Sequence, residues 1–230
     1  MNILKSHLAL YFLFGILYFL SICMDWTYLS YIAKPLFIGA ISFYYFEESK
    51  KPVNYYNCTI LALLFFSGVI NLLEGYSYFI YVLFFNFLAY CILLFKLIKE
   101  LSKMKLYKIE KASYLSILLT LIFLSCVLYI SSFIVFDRSF ELYKVILVYG
   151  FTLITLSFCA AFMYLVKFNQ KNTYLILYTL NIIICELFYG IYHYYYKVPL
   201  LRFTSIFCYI LSFYFLAHYF LKESNEQVKE

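Results

Sequence analysis

The chain has 230 residues, of which 66% are hydrophobic and 13% charged, and its formal net charge is +6. A water-soluble domain is about 45–50% apolar and about 25% charged, so a soluble enzyme, a nucleic-acid-binding domain and a disordered chain are excluded. With a mean hydropathy of +0.86, the expectation is an all-α polytopic bundle forming one transmembrane domain over residues 1–230.

Near-continuous apolar runs predict eight transmembrane helices, at about 7–24, 28–46, 58–74, 77–98, 114–136, 143–166, 174–196 and 199–221. Each run approaches or exceeds the roughly 20 residues needed to cross a hydrocarbon core. The first follows Lys5 and has the outline of a signal peptide. It lacks a small-residue cleavage site and leads straight into a second apolar run, so it is read as a retained helix. The longest connection, 97–113, is short and basic.

Basic residues set the topology. With the N-terminus inside, the cytoplasmic segments collect Lys5, Lys50, Lys51, Lys167, Lys171, Lys222, Lys229 and the six lysines between Lys96 and Lys111. The opposite side collects only Arg138, Lys144, Lys197 and Arg202. This asymmetry predicts an even number of helices with both termini cytoplasmic. In a bacterium the membrane would be the inner one. The basic residues meet lipid headgroups here, and no nucleic-acid partner is expected.

The seven cysteines are scattered, about one per apolar run, with no CxxC pair and no Cys/His cluster. Neither a disulfide framework nor a metal site is expected, and no cofactor is called for.

Polar side chains at membrane depth are costly, and each is a functional candidate. They are Lys34, Asn71, Glu74, Asn86, Asn181, Glu186, His193, Arg202 and His218. The topology places Lys34, Asn71, Glu74, Glu186, His193 and Arg202 in one layer of the outer half, on helices 2, 3, 7 and 8. Asn86 falls near mid-depth, and Asn181 and His218 fall in the inner half. A polar cavity opening outward accounts for the outer layer. Plainer roles stand beside it. Glu74 and Arg202 also suit the lipid–water boundary, Lys34 is able to snorkel, Asn86 and Asn181 suit interhelical hydrogen bonds, and His193 suits an aromatic belt. Glu186 fits a plain role least well, because it lies too deep to snorkel easily.

Helices 3 and 7 carry a short echo, Asn71-Leu-Leu-Glu-Gly75 against Glu186-Leu-Phe-Tyr-Gly190, at an offset of 115 positions. Half the chain length separates them, as expected for a four-plus-four parallel repeat with a site between equivalent helices.

Several short stretches resemble the YhhN-type family of eight-helix membrane proteins, which includes the lysoplasmalogenases. Lys34-Pro35-Leu36 is similar to the family's lysine–proline–leucine signature. Phe66-Ser67 leading to Asn71 resembles Phe-Ser-x-x-Gly-Asp, with Ile70 at the Gly and Asn71 at the Asp. Asn86-Phe87-Leu-Ala-Tyr90 resembles Gly-His-x-x-Tyr, and Tyr149 to Ala160 resembles the tyrosine-to-small-residue pattern of helix 6. Cys185-Glu186 with Gly190 resembles Ser-Asp followed by a small residue, and Tyr214-Phe-Leu-Ala217-His218 resembles Tyr-x-x-Ala-Gln.

The resemblance implies hydrolysis of the vinyl-ether bond of a lysoplasmalogen, a membrane lysophospholipid. Such chemistry asks for a general acid, a group that orients water, and negative charge beside an oxocarbenium ion. It assigns Glu186 as the acid, with Asn71 or Glu74 beside it, and Lys34 to the substrate phosphate. His193, Asn86 and Arg202 complete the substrate-binding set. Asn71 does not ionise, which breaks the paired-acid pattern unless Glu74 substitutes for it. Two other functions compete, a non-catalytic amphiphile-binding protein of the same fold and a small transporter or sensor. Transporters of this kind carry mid-span Gly/Pro breaks, and Pro35 is the one clear example here.

Overall fold

The computed structural model describes residues 3–49, 53–73, 76–103, 111–131 and 142–227. Eight α-helices follow one another in it. They are α1 (Ile3–Cys23), α2 (Thr27–Glu48), α3 (Tyr55–Ile70), α4 (Tyr76–Leu101), α5 (Lys111–Tyr129), α6 (Tyr143–Val166), α7 (Gln170–Gly190) and α8 (Pro199–Gln227). They fall on the eight expected apolar runs, of which residues 74 and 132–136 lie outside the described residues, and the fold is all-α. Six of them, with the turns that extend α3 and α7, are long and apolar enough to cross a membrane. The described apolar parts of α1 and α5, His7–Cys23 and Leu115–Tyr129, are shorter.

Those six helices form a closed ring in the order α2, α3, α4, α6, α7, α8 and back to α2, with α1 lying on α2 and α8 and α5 lying on α6. Large apolar side chains cover its outside, among them Ile16, Leu118, Phe123, Phe151 and Phe207, each more than half exposed. Apolar surface this continuous is stable against lipid and not against water, which fits a multi-pass membrane bundle. Inside the ring, Phe37, Ile41, Tyr45, Leu93, Leu156, Leu216 and Phe220 are fully buried. α8 runs six residues past its expected end, because Leu221, Glu223 and Ser224 are still buried.

Neighbour relations in the second half repeat those in the first. α1 packs on α2 as α5 does on α6, α3 pairs with α4 as α7 does with α8, and α4 meets α6 as α8 meets α2. A shift of 115 positions carries the start of α3 at Tyr55 onto the start of α7 at Gln170. It carries Asn54 onto Asn169, and both side chains cap their helices by accepting a backbone N–H, from Tyr56 and Asn172 respectively. An asparagine at this position satisfies one of the donors that a helix start leaves unpaired. The same shift superimposes the fully buried Asn57 and Asn172. It also matches Ser42, which donates to the Ile38 carbonyl, with Ser157, which donates to that of Leu153. The echo between helices 3 and 7 is thus one part of a longer correspondence covering α2–α3 and α6–α7.

Candidate functional site

Between the two halves, at the end of the ring where α2, α4, α6 and α8 begin, lies a cavity of about 420 Å3. Lys34, Asn71, Asn86, Glu186, His193 and Arg202 all line it. Six of the seven residues assigned from sequence to catalysis or substrate binding therefore line one cavity. The seventh, Glu74, lies outside the described residues. Asn181 and His218 are elsewhere. Asn181 donates to the Leu177 carbonyl, while the His218 ring sits among Tyr44, Tyr174 and Tyr214.

Lys34 does not snorkel. Its side chain is buried, and its ammonium donates to Asn71 Oδ1 at 2.6 Å. It also lies 5.6 Å from the centre of the Tyr18 ring and 5.4 Å from that of Tyr209. An amide oxygen and two π faces stabilise a cation away from bulk water. α2 reaches this close to α3 because residue 68 is glycine. A Cβ there would stand 2.6 Å from Ile38 Cδ1 and 3.0 Å from the Tyr209 hydroxyl.

Asn71 sits where α3 gives way to a 3-10 turn, Asn71–Leu73. Its amide nitrogen points at the Tyr189 hydroxyl across the ring, 3.5 Å away. On that wall, Tyr149 of α6 donates its hydroxyl to Glu186 Oε1 at 2.8 Å. Tyr149 is buried, whereas Glu186 keeps part of its surface accessible on the cavity wall. The Tyr149 ring packs 5.7 Å from that of Tyr90.

The cavity is thus bounded by two hydrogen-bonded pairs, and they correspond. Lys34 to Asn71 and Tyr149 to Glu186 each span 37 positions, and the 115-position shift carries the first pair onto the second. Equivalent positions hold an ammonium and an amide in one half, a phenol and a carboxyl in the other.

His193 and Arg202 form the rim. α7 widens into a π-helical turn over Ile191–Tyr195, a departure that is frequent at functional sites. The exposed His193 stacks on Tyr189 with 4.2 Å between ring centres. Arg202 lies over the Tyr192 ring at 5.7 Å and reaches Asp25 at 3.4 Å. Asn86 lines the wall from α4.

Sequence reasoning missed the aromatic part of this lining, Tyr18, Tyr78, Phe79, Tyr189 and Tyr209, and the role of Tyr149. Tyr189 carries a usable signal, since it lies three positions after Glu186 and so shares its helix face. Tyr149 carries none, being one of 28 tyrosines. No family model, curated protein or solved structure matches the chain. The chemistry of the cavity therefore rests on its own geometry.

Proposed function

We propose that the chain is a divergent YhhN-type protein with eight membrane-spanning helices and cytoplasmic termini, acting as a lysoplasmalogenase-type hydrolase at an outward-facing cavity. The observation that carries this reading is the convergence of Glu186, held by Tyr149, with Lys34, held by Asn71, on one partly apolar cavity. Its volume falls within the range of small-molecule sites.

A vinyl ether reacts by protonation of its outer alkene carbon. Glu186 in its carboxylic form donates that proton, and the electron pair of the ether oxygen moves in to make an oxocarbenium ion. The carboxylate left behind faces the cation and takes a proton from the water that adds to it. The resulting hemiacetal collapses, breaking the bond to the glycerol oxygen and releasing a fatty aldehyde and a glycerophospho-base, with one water consumed. Tyr149 fixes one oxygen of Glu186 and leaves the other to face the substrate. Lys34 binds the phosphate as a point charge.

Asn71 supports a second reading. It binds Lys34 and does not ionise, so the α2–α3 wall is suited to holding an anionic head group. A protein that binds a lysophospholipid and leaves it intact fits this wall equally well. Purified protein in detergent, given a lysoplasmalogen and an ester lysophospholipid with the same head group, separates the two. The hydrolase releases aldehyde from the vinyl ether alone. A binding protein releases none, and its thermal midpoint rises with both lipids.

A further inference from the structure

The end of the ring away from the cavity holds a second polar cluster, which hydrolysis does not use. Lys96 of α4 donates to Asn57 Oδ1 and, at 2.8 Å, to Glu223 Oε2 of α8. Asn57 of α3 donates to the same carboxylate oxygen at 3.0 Å and to the Tyr45 hydroxyl at 3.1 Å. One turn further along α4, Glu100 accepts from Lys171 of α7. The Lys96 and Glu223 side chains are only 9% and 12% exposed, and that of Lys171 is 6% exposed.

Both ion pairs join the first half of the chain to the second. At the cavity end, the ion pair between the halves among the described residues is Arg202–Asp25, longer at 3.4 Å and with Asp25 82% exposed. Between cavity and clamp, the ring is plugged by buried Tyr90, Leu93, Leu216 and Phe220. Buried ion pairs are poor cement. Apolar residues of the same size hold helices as well or better, because the charges must be stripped of water. Ion pairs differ from apolar contacts in that they re-form with water once parted.

We propose that Lys96–Glu223 and Glu100–Lys171 are a gate. The two parallel halves rock about the cavity, which opens alternately to either side of the membrane and carries an amphiphile with an anionic head group across it. Parallel repeats around a central site are the architecture for such motion. Lys34 and the aromatic lining select the cargo. This goes beyond hydrolysis and does not depend on it.

The test uses proteoliposomes and a chain keeping Cys185, which lines the cavity, as its sole cysteine, with Ser205→Cys in a cysteine-free chain as a second reporter. A membrane-impermeant maleimide is applied from either side. Glu223→Gln strands the Lys96 charge and favours the state open at the clamp end. Labelling from that end rises by at least about tenfold, and labelling from the cavity end falls. Lys96→Met with Glu223→Leu replaces the ion pair with apolar contact and seals the clamp, so labelling from that end is lost. A fluorescent lysophosphatidylglycerol, back-extracted with albumin, crosses faster with the natural chain than in protein-free vesicles or with the sealed variant. The proposal is overturned if Glu223→Gln raises labelling at one end without lowering it at the other, if neither variant changes labelling, or if the lipid crosses equally in all vesicles.

Discussion

At the cavity end, Lys34 meets an amide oxygen and two tyrosine rings, and at the clamp end Lys96 likewise meets an amide oxygen and two aromatic rings, together with the Glu223 carboxylate. Both lysines are removed from bulk water, yet Lys34 borders the cavity and Lys96 forms an ion pair across the two halves. A lysine paired with a carboxylate of the other half links the halves by a contact that parts and re-forms. Lys34 borders an open volume that an anionic group can enter, whereas Lys96 is enclosed among its partners. The two halves also differ. Equivalent positions carry Lys34–Asn71 and Tyr149–Glu186, so the repeat copies a framework for placing a pair and leaves the chemistry of the pair free to diverge.

The largest expected effect falls on the acid side of this contrast. Glu186→Gln keeps the shape and the bond from Tyr149 but has no acidic proton to give, so aldehyde release drops at least about 100-fold. Unchanged far-ultraviolet circular dichroism accompanies the loss. On the cation side, Lys34→Met leaves the helix intact and weakens lysophospholipid binding about 10- to 100-fold, the worth of one charged hydrogen bond, as read by calorimetric titration. Equal binding by Lys34→Met and the natural chain would remove the distinction between the two lysines.

Packing gives smaller effects. Gly68→Ala forces Ile38 or Tyr209 to move, at a cost of about 1–3 kcal/mol, visible as a lower thermal midpoint and weaker binding. The smallest effect sharpens the comparison of the halves. Asn54→Ala and Asn169→Ala each remove a helix cap at an equivalent position. Each should lower stability by about 1 kcal/mol, and by similar amounts in denaturant titration. A large difference between them would show that the correspondence is one of sequence position and not of energetics.

The eight helices were legible because hydropathy is summed over some twenty residues, and no tertiary fact is needed to read it. Lys34, Asn71 and Glu186 were legible as one layer because charged and amide side chains at membrane depth are rare. The clamp was not. Lys96 stands near a span end, where a lysine reads as a topology signal, and its carboxylate partner is 127 positions away. Tyr149 was hidden for a related reason, since its hydroxyl matters only because α6 lies beside α7. The 3-10 and π turns flanking the cavity come from local backbone adjustments that hydrophobic periodicity does not report.

Aldehyde release by Asn71→Asp tests most directly whether the two walls act on one substrate. The natural chain, Asn71→Asp, and Asn71→Asp with Glu186→Gln are assayed side by side on one lysoplasmalogen. Restoring an acid beside Lys34 should raise the rate above that of the natural chain, and adding Glu186→Gln should abolish it. If the doubly substituted protein releases aldehyde as fast as Asn71→Asp alone, Glu186 is not the acid, and the shared site does not exist.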